Sequence, residues 1–465
     1  MAALRKRAFT LMAAATLAAA VAVAGARAAR ARPASGGAPD GGLATGATAV
    51  LLKGPYLQAL GAGGVTIKLE LSAPGLARVE VFPAAGGAAV ARRDSADARV
   101  FHALRVDGLA PATAYEYRVT AGAAAVEPGH FTSAPADARP FRFLAYGDSR
   151  SDPEAHAAVI RAMTAVPSDF LVNTGDMVSM GNNPVDWAEL FSIEGRLLRD
   201  RCVFAAVGNH ELARGDHAGE VAFLHYFAGA DEGRELERLY GSFRWSNTRF
   251  FILNAMDRWT GAERDWLRAE LDLALAEPGV AHRIAVMHWG PFSSGAHGNN
   301  PALASGDVIG IMRDRKVDLI LAGHDHIYER GAGSGLKYLI TGGAGAPLYA
   351  ENKHAPETLH FEAAHHFIEV AVDGDRVRTT ARRPSGDVLE ACGYQGTGSW
   401  DCDAAATPRA GDAGPSPDAA RGDTTLGTTP PRSACGCAVP GAPTEGSGAA
   451  GLALAAWIAR RRRRR

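Results

Sequence analysis

The chain has 465 residues, 47% hydrophobic, 21% charged and 7% aromatic, a composition that excludes a wholly disordered or fibrous protein and a length that suits roughly two or three domains. Its 49 Lys and Arg balance 50 Asp and Glu, but four of the basic residues lie within the first 28 and six arginines close the chain. Without residues 1–28 and 438–465 the body keeps 39 basic against 49 acidic groups, a net −10, which argues against unspecific nucleic-acid binding through a broad basic face.

Arg5, Lys6 and Arg7, the apolar run Ala8–Gly25 and the small residues Ala24, Ala26 and Ala28 have the order of a secretory signal over 1–28. The run is shorter than the about 20 apolar residues of a spanning helix, so the segment reads as an export address. A Pro- and Gly-rich linker follows over 29–47. From 48 to 135, alternating runs predict the strands Val65–Leu71, Ala77–Phe82, Phe101–Val106 and Tyr115–Thr120, separated by Gly, Pro and Asp turns. The spacing of Leu109, Pro111, Thr113 and Tyr115 resembles fibronectin type III sandwiches, where the Tyr pins a turn against the neighbouring strand. That resemblance implies an all-β domain serving as a spacer or lid.

From Phe141 the pattern changes to buried strands alternating with amphipathic helices, predicting an α/β domain over 139–383. The runs Phe141–Tyr146, Phe170–Asn173, Val203–Val207, Phe250–Asn254, Ile284–Met287 and Leu319–Leu321 have strand length. Asp152, Pro153 and Glu154 open a helix with a cap, a proline and an acid in its first turn. Glu263–Ala276 gives another helix, and Lys337–Thr341, Phe367–Val372 and Arg376–Ala381 read as strands returning to the sheet. The segments 177–187 and 291–304 read as loops that would set substrate preference.

Polar clusters come directly after these strands: Gly147-Asp148-Ser149-Arg150, Gly175-Asp176, Gly208-Asn209-His210-Glu211, His288, and Gly323-His324-Asp325-His326. Taken singly, a Gly-Asp is a turn and a lone His a satisfied polar residue. Five such clusters at strand ends, where loops converge, carry two Asp, an Asn and three His, a donor set suited to two cations. The order of these clusters resembles the calcineurin-like metallophosphoesterases, in the purple-acid-phosphatase-like branch, over about residues 50–383. The resemblance implies a central β-sandwich flanked by helices, preceded by the fibronectin-like sandwich.

By motif, Asp176 would bridge two metals, with Asp148 and His326 completing the first site and Asn209, His288 and His324 the second. His210 would contact phosphate and assist protonation of the leaving oxygen, and His297 would be a further phosphate contact. Ser179 stands where the family has a Tyr ligand, and Arg150 where other members have a His, so the first site is one protein ligand short; Fe, Zn and Mn all suit what remains. Arg150 would either grip a phosphate oxygen or pair with a neighbouring acid such as Asp152. His156 reads as a helix-surface residue that could also supply the vacant ligand. Asp325 faces away from the metals by strand alternation, and Tyr328, Glu329 and Arg330 read as support behind the site.

Of five cysteines, Cys202 opens an apolar stretch and reads as a buried free thiol, while Cys392 and Cys402 in a loop over 384–403 could close a small ring. A low-complexity linker spans 404–434. Cys435-Gly436-Cys437, the apolar run Ala449–Ala459 and the terminal arginines resemble the myxobacterial C-terminal sorting tail over 435–465, which implies transient membrane association and surface display. The expected function is an exported phosphoesterase on small phosphate esters, most simply monoesters, through attack of a metal-bridging hydroxide. The alternatives are a phosphodiesterase on nucleotides or lipid headgroups and a catalytically weak surface-binding protein.

Overall fold

The computed structural model describes residues 49–122, 126–212, 217–227, 239–255, 261–304 and 307–403; the expected export address, both low-complexity linkers and the sorting tail lie outside the described residues. Seven strands come first: β1 (Leu51–Gln58), β2 (Gly64–Gly75), β3 (Ala77–Pro83), β4 (Ala91–Asp94), β5 (Arg99–Asp107), β6 (Ala114–Ala121) and β7 (Gly129–Thr132). They form a three-stranded sheet ordered β1-β2-β5 and a four-stranded sheet ordered β4-β3-β6-β7. Alternate residues Val65, Ile67, Leu69 and Leu71 are buried in the core of the sandwich, and Thr66 and Lys68 on the opposite face of β2 are buried too. The Tyr115 hydroxyl accepts from Ala110 N at 2.9 Å, closing the corner before β6.

The larger part holds two seven-stranded sheets. In the first, β8 (Phe141–Tyr146), β9 (Phe170–Asn173) and β10 (Val203–Ala205) run parallel, and β18 (Phe367–Asp373), β19 (Arg376–Arg382), β20 (Val388–Gln395) and β21 (Asp401–Cys402) continue it antiparallel. The second has the order β11 (Gly241–Trp245), β12 (Thr248–Ile252), β13 (His282–Trp289), β14 (Leu319–Gly323), β16 (Leu336–Thr341), β15 (Tyr328–Gly333) and β17 (Thr358–Glu362), with β12, β13, β14 and β16 parallel. Phe143, Phe170 and Phe204 of the first sheet meet Phe243, Trp245 and Phe250 of the second, with ring centroids 5.3 Å apart for Phe143 and Phe250 and 3.7 Å for Phe204 and Phe243.

The intervening residues face outward into helices. Leu144, Tyr146, Leu171 and Val203 pack under α1 (Pro153–Ala165) and α2 (Pro184–Asp200), in one cluster with Phe223 and Tyr226 of α3 (His217–Tyr226). Phe251, Ala285, Met287 and Ile320 pack under α4 (Gly261–Ala276) and α6 (Asp307–Asp314). Strands buried on both faces have no polar alternation, which is why they read as unbroken apolar runs. The fold class is the expected one, a β-sandwich flanked by helices after an all-β region.

Several details differ from expectation. The segment 384–403 is not a loop: β20 and β21 extend the first sheet to its edge, and Cys392 and Cys402 are paired across them and disulfide-bonded. The catalytic fold therefore runs on to Asp403. Part of the expected loop 177–187 is the first turn of α2, which Asn183 caps by accepting from Val185 N, and residues 301–304 form the short helix α5 (Pro301–Ala304). The first sandwich is held against the larger part by buried side chains. Tyr56 is fully buried and donates to Tyr226 O at 2.8 Å, and Tyr117 donates to Arg199 O at 2.8 Å, so two phenols anchor it to the helices over the first large sheet. Cys202 is the buried free thiol expected, and burial pushes its pKa up to about 12.

Candidate metal centre

The parallel strands β8, β9, β10, β13 and β14 deliver one cluster each to the same end of the two sheets. Leaving a strand sharply takes unusual backbone, and Asp148, Asp176 and His324 all have positive φ (56°, 54° and 74°), as does Ser151 (75°). Non-Gly residues hold such angles only where the surroundings over-determine them. Two glycines are needed for close approach: a Cβ on Gly208 would lie 2.2 Å from Asp176 Oδ1, and one on Gly323 2.5 Å from Asp148 Oδ2.

Asp176 lies at the middle. His288 Nε2 is 3.3 Å from its Oδ1 and 3.1 Å from Asn209 Oδ1, while His288 Nδ1 donates to Thr174 O at 2.9 Å. The His324 ring is 5.1 Å from the His288 ring, and its backbone N–H donates to Asp148 Oδ2 at 2.9 Å. His210 N donates to Asp176 Oδ1 at 3.0 Å, and its Nδ1 donates to Ser179 O at 2.7 Å. His297 stacks on His324 with centroids 3.9 Å apart and donates from Nδ1 to Asp325 Oδ1 at 2.8 Å. Asp325 is thus turned to the 293–297 loop, taking Ser293 Oγ and His297 N as well. All six expected ligands and His210 and His297 are brought together.

Charge is concentrated here. Burial raises the Asp148 carboxyl well above the ordinary carboxylate range, with Asp176 adding to it against His288 and Arg150. Burial opposes ionisation of Asp176 too, but the charge and hydrogen bond of His288 and the charges of His210 and Arg150 hold it below that range. Burial alone would lower His288; Asp176, Asp148 and Glu211 instead push it up to about 9. Burial lowers His210 and His324, and lowers His326 to about 4.

Asp148 Oδ1 is buried without a hydrogen-bond partner, and Asp148, Asp176 and His288 bring ligand atoms within 4.8 Å of one another. A buried, unpartnered carboxylate oxygen aimed at such a cluster is costly unless a cation meets it. Carboxylate, amide and imidazole donors suit Zn, Fe or Mn, so these residues fit a metal ion.

Arg150 does not pair with Asp152, the acid expected beside it. Asp152 is occupied as the cap of α1, accepting from Glu154 N and Ala155 N. The guanidinium turns inward instead: Nε donates to Asp176 Oδ2 at 3.2 Å, Nη2 to His326 Nε2 at 3.2 Å and Nη1 to Ser151 Oγ at 3.2 Å. His156 is also not a surface residue. It is buried and bonded to Glu194 Oε1 at 2.8 Å, with Tyr146 donating to Glu194 Oε2 at 2.7 Å, so it supplies no ligand.

Two acids matter more than their sequence positions suggest. Glu211, next to His210 in the motif, accepts from Gly208 N (2.7 Å), Asp176 N (2.9 Å), Met177 N (2.8 Å) and Val178 N (3.2 Å), clamping two site loops together. Burial and Asp176 push its carboxyl up to about 7. Glu194 has one signal only, an acid on the apolar face of a helix beside Leu190, Leu197 and Leu198. Behind the site, Glu329 accepts from Ser294 N at 2.8 Å, while Tyr328 and Arg330 both reach Glu390 on β20.

Residues 141–328 match the calcineurin-like phosphoesterase family. Two uncharacterized proteins of Mycobacterium tuberculosis, from strains CDC 1551 / Oshkosh and ATCC 25618 / H37Rv, are each 27% identical over 51% of this chain and 52% of their own. The chain thus spans about half the length of these curated relatives. Among solved structures, a purple acid phosphatase from yellow lupin (Lupinus luteus) seeds is similar in fold, with a TM-score of 0.64 and 17% identity over 75% of this chain and 74% of that one. A structure of PhoD gives a TM-score of 0.61 and 12% identity over 77% and 92%. Both likenesses concern the fold, and with the strand-end donors in the matched segment they lead to one conclusion: residues 141–328 form a calcineurin-like phosphoesterase domain.

Proposed function

We propose that this chain is an exported, metal-dependent phosphoester hydrolase acting on small phosphomonoesters. The observation that supports this most is the convergence of Asp148, Asp176, Asn209, His288 and His324 around an unpartnered buried carboxylate oxygen, with His210 beside them. When bound, a cation supplies Lewis-acid chemistry, drawing electron density from a phosphoryl oxygen and making water a stronger acid. Asp148, Asp176, Asn209, His288 and His324 would hold it.

His210 moves a proton. Because its Nδ1 faces the Ser179 carbonyl, that nitrogen carries a hydrogen, and Nε2 is the atom that exchanges one. Burial lowers the His210 pKa, and Asp176 Oδ2, 3.8 Å from Nε2, works against that burial in favour of the imidazolium that would give its proton to the departing oxygen. Arg150 keeps one N–H on each of Nη1 and Nη2 beyond those it gives to Ser151 and His326, available to a phosphoryl oxygen. Asp325 orients His297 over His324, at the edge of the same space.

The Cys392–Cys402 disulfide supports an oxidising compartment, and so the export address read in residues 1–28. The three-plus-four strand order and the Tyr115 corner support the fibronectin type III reading of the first sandwich. The tail over 435–465 would give transient membrane contact and surface display; among the described residues no helix is long and apolar enough to cross a membrane.

The test is hydrolysis of an aryl phosphomonoester and the matching diester by the purified protein, with and without chelator. Chelator-sensitive turnover that favours the monoester is expected. A faster diester would move the reading to phosphodiesterase, and full metal occupancy with no turnover on either would leave a surface-binding protein.

A further inference from the structure

The two departures from the ligand pattern meet in one place. Arg150 stands where other family members have a His, and Ser179 where they have a Tyr, yet neither position is simply empty. The Ser179 hydroxyl is 3.3 Å from Ser151 Oγ, and Ser151 in turn receives Arg150 Nη1 at 3.2 Å. Ser151 holds a left-handed backbone (φ 75°) to do so. The position that would carry an aromatic ligand instead backs the guanidinium.

The guanidinium takes two coordinating atoms of the first site, one on Asp176 and one on His326, and leaves Asp148 Oδ1, 3.6 Å from His326 Nε2, without a hydrogen bond. His326 Nδ1 donates to Pro347 O at 2.6 Å, so its Nε2 carries the lone pair a metal would use, and Arg150 Nη2 donates to that atom. Asp176 Oδ2, the oxygen on the side of His326, takes Arg150 Nε. An ion bound to both atoms at about 2.0–2.2 Å would need the space between them that these two nitrogens fill. The Arg150 side chain is only 14% exposed and the Asp176 side chain 1%. Asp148, Asp176 and His288 bring ligand atoms within 4.8 Å of one another, whereas the lone pair of His326 Nε2 already takes the guanidinium.

We propose that Arg150 replaces the first-site cation, so that this domain holds one metal ion, which Asp148, Asp176, Asn209, His288 and His324 would hold, with the guanidinium as the second positive charge. The guanidinium fork can take a phosphoryl oxygen beside the ion. The second charge is therefore built into the chain and independent of metal supply. This rests on the strand-end cluster being a metal centre, but metal content decides it, and a protein that binds metal without turning over substrate leaves it standing.

The experiment is equilibrium dialysis of the full chain against manganese, with metal analysis and electron paramagnetic resonance, for wild type, Arg150→His and Arg150→Ala. One manganese per wild-type chain with an isolated-ion spectrum is expected. Arg150→His returns an imidazole to the first site and should take up a second equivalent with an exchange-coupled spectrum; Arg150→Ala should take it up more weakly. Two manganese in wild type, or one in a folded Arg150→His, would overturn the proposal. None in wild type would overturn it together with the metal-centre reading.

Discussion

On one side of Asp176, Asn209, His288 and His324 gather near an unpartnered oxygen of Asp148; on the other, Asp176 and His326 share a guanidinium. Both sides are built by the same device, a polar residue leaving a parallel strand with strained backbone. They differ in the residues just C-terminal to the ligand. Asn209 precedes His210 and Glu211, which tie the loop to Asp176, whereas Asp148 lies two residues before Arg150, which brings a charge of its own. A side chain two positions along decides whether a strand end binds a cation or supplies one.

The comparison is broken most directly at His288. His288→Ala should remove the ion and lower kcat/KM on the order of 10³-fold, the scale of losing a preorganised group that stabilises developing charge, read by metal analysis beside aryl phosphate hydrolysis. Glu211→Ala comes next, because four backbone N–H groups lose their acceptor in a buried place. At about 1–3 kcal/mol for each unsatisfied group, less relaxation and water entry, a loss of about 4 kcal/mol is expected, read by denaturant unfolding.

His366 tests the packing behind the Asp148 side. It is fully buried, its Nδ1 donates to Ala364 O at 2.8 Å, and its Nε2 has no partner, so burial lowers its pKa to about 4 from 6.5. The unfolded chain takes up this proton first as pH falls. The stability it contributes is therefore whole above pH 6.5 and is lost between 6.5 and 4, about 3 kcal/mol in all. Urea titrations across that range should show the slope, and His366→Gln should flatten it. The smallest effect is Ser179→Ala, which removes one contact behind Ser151 on the partly exposed rim. It should change stability by less than about 0.5 kcal/mol and leave metal content unchanged.

Much of the centre is legible in the sequence because its ligands sit just after strands that are apolar on both faces, and a Gly-Asp, Gly-Asn-His or Gly-His-Asp-His directly after such a run is a local pattern. Phe141–Tyr146 and Phe170–Asn173 have the same bounds in sequence and structure for the same reason. Strand β20 is not legible: its Gly393 and the turn beyond it read as a loop, and only pairing with β19 makes Val388–Gln395 a strand. His156 reads as a surface residue because its acid, Glu194, is 38 residues away on another helix.

Residue type and spacing alone determined the buried strands of an α/β domain, the strand-end donor set and the buried thiol at Cys202, while the double-sheet core and the missing Tyr and His of the first site came from the family resemblance of those motifs. The former are local facts, set by side-chain period and by the few residues just past each strand. Tertiary structure decided what took the place of the missing ligands. The partners of Arg150 are 26 and 176 residues away, and an arginine beside one acid in sequence reaches another in space when the nearer one, Asp152, is already bound as a helix cap.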